Sequence, residues 1–311
     1  MTITRLLRFI GLGLVTALPL EDVRAETINC TAITSLPVTI TVQGIYCLTG
    51  DLGTSISSGN AITIATNNVT IDMNGHKLGG LAAGSGTTAI GIYALNRTNI
   101  SLKNGTVRGF SAGVSLDASV GNVSGGGGHQ LENLRADFNF RTGLSVAGVG
   151  NIIRNNQVIS TGGSTVTSGS FGIQVYGLGA RVLNNDVIGT TSQTGSASGL
   201  WVYGAPGIVI ENNRIAETTS SSGEGFAVIV GYSDAAAISA NRIGNSTKSS
   251  NTYGFDVYES DHVTLRDNSI SNMAWGIDLP SGTGVYMNNV VVDAASGQAY
   301  VGGTAAGTNY P

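Results

Sequence analysis

The sequence predicts an all-β solenoid, a parallel β-helix of about nine or ten coils, and three observations carry that prediction. A glycine-led apolar strand recurs as GIYAL at Gly91, GVSLD at Gly113, GLSVA at Gly143, GIQVY at Gly172, GLWVY at Gly199, GFAVI at Gly225, GFDVY at Gly254 and GIDLP at Gly276. The steps between these glycines are 22, 30, 29, 27, 26, 29 and 22 residues. An asparagine marker drifts with them at Asn156, Asn185, Asn213, Asn241 and Asn268, in steps of 29, 28, 28 and 27. Within each unit apolar residues alternate with others, and none shows the three- and four-residue spacing of an amphipathic helix.

Strands of this length cannot bury their apolar side chains alone. Stacking each strand in parallel on its equivalent in the next coil, about 4.8 Å away, buries them in one continuous core. The recurring asparagines, at 155, 184, 212 and 288 and at 156, 185, 213, 241, 268 and 289, suit stacked side chains that hydrogen-bond from coil to coil at a turn.

The chain has 311 residues, of which 11% are charged, and its formal net charge is −4. It has no basic stripe, which argues against nucleic acid as a partner. Residues 1–25 read as a cleavable signal peptide: Arg5 and Arg8 precede an apolar run from Phe9 to Leu20, and Val23-Arg24-Ala25 forms the cleavage site. The run is too short to span a bilayer, so the mature protein is expected to be secreted or periplasmic. Cys30 and Cys47 are the only cysteines, and in such a compartment they are expected to form a disulfide. Residues 26–60 are then an N-terminal cap carrying that disulfide, 61–292 the β-helix and 293–311 a C-terminal tail. The sequence does not specify an oligomeric state.

These repeats resemble the secreted right-handed parallel β-helix superfamily, the pectate lyase-like and NosD-like proteins, over roughly Ala61 to Val292. The resemblance implies a single-stranded right-handed parallel β-helix with a polysaccharide lying along one sheet. The polygalacturonase signatures Asn-Thr-Asp, Gly-His-Gly and Arg-Ile-Lys are absent. Copper handling of the NosD kind is poorly supported by 3 His and 4 Met.

In each glycine-led strand the second and fourth residues are apolar and inward, so the third and fifth face outward. The third-position column reads Tyr93, Ser115, Ser145, Gln174, Trp201, Ala227, Asp256, Asp278, and the fifth reads Leu95, Asp117, Ala147, Tyr176, Tyr203, Ile229, Tyr258, Pro280. Trp201, Tyr203 and Tyr176, with Gln174, form the expected substrate-binding platform, because aromatic faces stack on sugar rings. Asp256 and Asp278 fall at equivalent positions of consecutive coils. Two carboxylates that close push one pKa up, which supplies the acid and base that glycoside hydrolysis needs. Neither column contains Lys or Arg, so the base of a lyase would be Tyr258, His262 or Arg266 on a flank. Glu259 and Asp261 join the two aspartates as a candidate calcium set, calcium being the one cofactor the acids suggest. Glu224 also enriches this acidic end. The excursions at 161–170, 190–198, 218–224 and 245–252 all precede a glycine-led strand and are placed to wall one edge of its sheet. The expected function is polysaccharide binding along this sheet with cleavage by hydrolysis or elimination. The alternative is a non-catalytic periplasmic or surface scaffold that binds glycan.

Overall fold

The computed structural model describes residues 29–117, 125–295 and 297–311. The leader expected over 1–25 lies outside the described residues, as does part of the glycine-rich segment at 121–130. The chain is a right-handed parallel β-solenoid of about ten turns, and among the described residues only a short 3-10 turn at Leu81–Ala83 departs from strand and loop. A typical coil runs through Ala197–Tyr203, turns a corner into Val209–Glu211, turns again at Asn212-Asn213, and continues as Arg214–Ala216. The first strand of each coil joins an 11-stranded sheet and the other two join a 20-stranded sheet that bends at the asparagine turn. All the strand pairings are parallel, as in Ala197–Tyr203 on Gly225–Gly231 and Val209–Glu211 on Ala237–Ser239.

Strand alternation fills the interior. Leu200 and Val202 of one coil stack under Val228 and Val230, then Phe255 and Val257, all 0–1% exposed. Each such side chain, fully buried, contributes about 1.5–3 kcal/mol. The glycines that lead the strands sit where coils approach most closely. A β-carbon at Gly254 would overlap the Gly276 carbonyl oxygen and Ile270 Cγ2.

The Asn-Asn turn divides two jobs between its residues. Asn155, Asn184, Asn212 and Asn288, with Ala240 and Asp267 in the same column, adopt left-handed backbone with φ between 55° and 57°, a conformation asparagine tolerates well. The second residue turns inward. Asn156, Asn185, Asn213, Asn241, Asn268 and Asn289 are buried, and each donates through Nδ2 to Oδ1 of the next, at 3.0 Å for the first five steps and 3.3 Å for the last, to Asn309. The same oxygens accept a backbone N–H from the coil below, so the buried amides of this column are paired along the axis.

Strand pairing continues on both sides of the periodic segment. Val38–Ile40 pairs with Asn60–Ile64 and Gly44–Leu48 with Val69–Asp72, while Tyr300–Gly302 pairs with Trp275–Leu279. The Cys30–Cys47 disulfide is formed, with its Cα atoms 5.8 Å apart. A disulfide fits an extracellular or periplasmic protein. Among the described residues no helix is long and apolar enough to cross a membrane.

One coil is out of step with the sequence reading. Trp201 pairs with Ile229 and Tyr203 with Gly231, not with Ala227 and Ile229. Gly225 opens its strand opposite Ala197 and Thr252, and Ala227 takes the buried place that glycine holds in neighbouring coils. That place tolerates a methyl group, so the most conspicuous glycine was the wrong marker there.

Candidate functional site

The outward face of the 11-stranded sheet carries three columns. The register stacks Trp201, Ile229, Asp256 and Asp278 in the central one. Tyr176, Tyr203, Gly231 and Tyr258 stack on one side of it. On the other, one residue before the glycine position, stand Phe171, Ser198, Phe226, Tyr253 and Trp275. A reading that begins each strand at its glycine misses this last column. It lies three residues before the central column, an odd step, so strict alternation assigns it to the interior; the register skips the glycine position and brings it back to the outward face.

The rings form two rows. Trp201 faces outward, stacked on Phe171 with centroids 4.8 Å apart and edge-on to Tyr176 at 5.7 Å and Tyr203 at 6.4 Å. Gly231 leaves a gap in the side column, and the Tyr258 ring leans over it, where a β-carbon would overlap it. Tyr232 closes the row, 5.1 Å from Tyr203 and 5.8 Å from Tyr258. The second row stacks Phe226, Tyr253 and Trp275 at 5.0 and 5.5 Å.

Asp256 and Asp278 lie between the rows as direct register partners, so their Cα atoms are one strand spacing, roughly 4.8 Å, apart. Burial pushes the Asp256 carboxyl up to about 6, with the Asp278 and Glu224 carboxylates adding to it. Burial likewise raises Asp278, which is 9% exposed and whose Oδ1 has no hydrogen-bond partner. Tyr253 is raised by burial and then by Glu224, Asp278 and Asp256. Burial also raises Tyr258, with Tyr203, Asp256 and Tyr232 acting in the same direction. The two aspartates therefore hold their protons more tightly than in water, which suits proton donation near neutral pH, whereas the two tyrosines simply stay protonated there.

Other sequence candidates lie elsewhere. His262 belongs to Ser260–Arg266 in the larger sheet. Its N–H donates to Thr283 Oγ1, and it lines a hollow of about 520 Å³ with Thr264, Thr283, Val285 and Thr304, to which neither aspartate contributes. Asp261 accepts from Thr283 Oγ1 at 3.0 Å, and the N–H of Glu259 donates to Ser281 Oγ. Among the described residues no three His, Cys, Asp or Glu side chains converge to hold a metal ion. Of the set Asp256, Asp278, Glu259 and Asp261, Glu259 follows the strand Thr252–Tyr258 and Asp261 lies within Ser260–Arg266 of the larger sheet, so neither stands in the outward columns with the two aspartates. Gln174, in the central column, donates through Nε2 to Tyr176 Oη at 3.4 Å and accepts from Thr142 Oγ1. The excursions at 190–198 and 218–224 are stapled by pairing Thr191–Ser192 with Thr219–Ser220, and the excursion at 161–170 lines a hollow of about 650 Å³ with Gln193 and Thr194.

The family described as right handed beta helix region matches residues 159–309, which bears out the resemblance read from the repeats. Comparison with curated protein sequences finds no match. Among solved structures, the enzymatically active domain of tailspike protein 2 of bacteriophage CBA120 is similar at 14% identity and a TM-score of 0.60, over 83% of this chain and 42% of that one. This chain thus spans well under half of the tailspike domain. The A-module of the mannuronan C-5 epimerase AlgE4 of Azotobacter vinelandii is similar at 13% identity and a TM-score of 0.55, over 88% of this chain and 84% of that one. At such identities the likeness is one of fold.

Proposed function

We propose that this protein binds a polysaccharide along the outward face of its 11-stranded sheet and cleaves it at Asp256 and Asp278. The observation that carries the reading is the in-register pair of partly buried carboxyls, both with raised pKa, set between two rows of aromatic rings. Support from similar proteins is coarser: the mannuronan epimerase is named for a polysaccharide.

Sugar rings stack on Trp201, Tyr203, Tyr232 and Tyr258 on one side and on Tyr253 and Trp275 on the other. The glycosidic bond then lies over the aspartates. In hydrolysis, the carboxyl that keeps its proton gives it to the leaving oxygen. The ionised partner either takes a proton from the attacking water or attacks the anomeric carbon itself. The pair titrates as a unit, so one shared proton serves both roles. In elimination, the ionised carboxylate instead removes the ring proton beside a sugar carboxylate, and the protonated partner gives its proton to the departing glycosidic oxygen as the carbon–carbon double bond forms.

Purified protein screened on a polysaccharide panel tests this. Asp256→Asn and Asp278→Asn are each expected to reduce cleavage by about 100-fold or more while leaving binding within a few-fold of wild type. New reducing ends without unsaturated sugars identify hydrolysis, and ultraviolet-absorbing unsaturated ends identify elimination. If the double variant cleaves as well as wild type, the chemical role is wrong. Binding without cleavage in the wild type would favour the scaffold alternative, which the length of the aromatic rows supports: they extend beyond the two coils holding the acids.

A further inference from the structure

The binding face is electrically lopsided. Around Asp256 and Asp278 the outward columns are Phe226, Tyr253 and Trp275, then Ile229, then Gly231 and Tyr258, with no Lys or Arg. The charged neighbours that bear on Asp256 are Asp278 and Glu224, both acids. Arg141 leads the strand four spacings from that of Asp256, roughly 19 Å along the axis, and there the face has a cation. The Arg141 guanidinium lies over the Phe171 ring, with Cζ 5.6 Å from its centroid, and Phe171 in turn stacks on Trp201. Arg141 forms no ion pair among the described residues, and its Nε is buried without a hydrogen-bond partner. Tyr176 feels both Arg141 and Asp117, and the Asp117 carboxylate accepts from Ser115 Oγ at 2.6 Å. Asp117 is the one acid that bears on Tyr176 among the described residues, and it is already engaged by a hydroxyl.

Resting on the polysaccharide reading above, we propose that Arg141 holds a carboxylate on an acidic sugar of the glycan, while uncharged sugars occupy the Asp256–Asp278 end, so that cleavage there is hydrolysis, an uncharged sugar having no carboxylate-activated proton to eliminate. The substrate class is a heteropolysaccharide whose charges are spaced along the chain, not a homopolymer of uronic acids. A guanidinium stacked on an aromatic ring keeps its terminal N–H groups free for a carboxylate. A polyuronate would set further carboxylates against Asp256, Asp278 and Glu224. At about 4 Å each such pair costs about 1 kcal/mol in water and more where solvent is thinned.

The protein has two tryptophans, Trp201 and Trp275, one at each end of this face. Single-tryptophan variants Trp275→Phe and Trp201→Phe therefore report the two ends separately by fluorescence. Each is titrated with sodium glucuronate and with methyl glucoside at constant ionic strength. Glucuronate is expected to shift Trp201 emission and leave Trp275 unmoved, whereas methyl glucoside moves Trp275. Arg141→Gln in the Trp201 reporter is expected to weaken the glucuronate response by about fivefold or more, with Arg141→Lys retaining part of it. A glucuronate response that is equal at both ends, or unchanged by Arg141→Gln, overturns the proposal while methyl glucoside binding leaves the polysaccharide reading standing. No response to either sugar at either end overturns both.

Discussion

The Asp256 carboxyl, sitting at about 6 in place of the 3.8 it would have in an unfolded chain, ties the candidate chemistry to a stability measurement. A carboxyl whose pKa rises on folding favours the folded state while it is protonated. The contribution is complete below about pH 3.8 and is lost as pH climbs through about 6. Asp256→Asn removes the titration. Its urea midpoint is expected to gain on wild type between pH 4 and pH 7.5, by roughly 1–2 kcal/mol once the solvent reaching this half-buried group is allowed for. Cleavage should fall over the same interval as the shared proton leaves the pair. A stability gap that stays constant across that range would mean that Asp256 is solvated and ordinary, and the acid/base role would lose its basis.

At the scale of a strand, two glycines make opposite predictions. Gly254 lies against the Gly276 backbone, which has nowhere to go, so Gly254→Ala is expected to cost about 1–3 kcal/mol in chemical denaturation. Gly231 faces the ring end of Tyr258, which can swing away. Gly231→Ala should therefore change stability by less than about 1 kcal/mol and yet weaken glycan binding by displacing Tyr258 from the row. If the two variants lose stability equally, Tyr258 is locked in place and the row is structural. The same strands show what the sequence could reveal. Period and alternation exposed the coils and set Asp256 over Asp278, because stacking converts equal phase into contact. Phase within the Gly225 strand was lost because Ala227 fits the glycine place. The Tyr253–Trp275 row and Arg141 went unseen because they precede the glycine from which each strand was counted. Nearness along the chain likewise does not carry Glu259 and Asp261 around the corner onto the face of the two aspartates.

Across the whole molecule each coil touches only its neighbours, so stability is distributed along the axis and a local lesson should stay local. The Cys30–Cys47 bond joins Gly44–Leu48 to the segment before Thr31–Ile33, strands that pair with each other and then with Val69–Asp72. Closing a loop of 17 residues is worth about 3 kcal/mol in the chain-entropy account. Replacing both cysteines by serine should therefore raise amide exchange over residues 31–48 and, more weakly, over 60–72. Residues 170–292, which contain the asparagine ladder and both aspartates, should exchange as before, and glycan binding should persist. Uniformly faster exchange from end to end would instead show that the solenoid opens as one cooperative unit, with the N-terminal coils holding the binding face closed from more than 100 residues away.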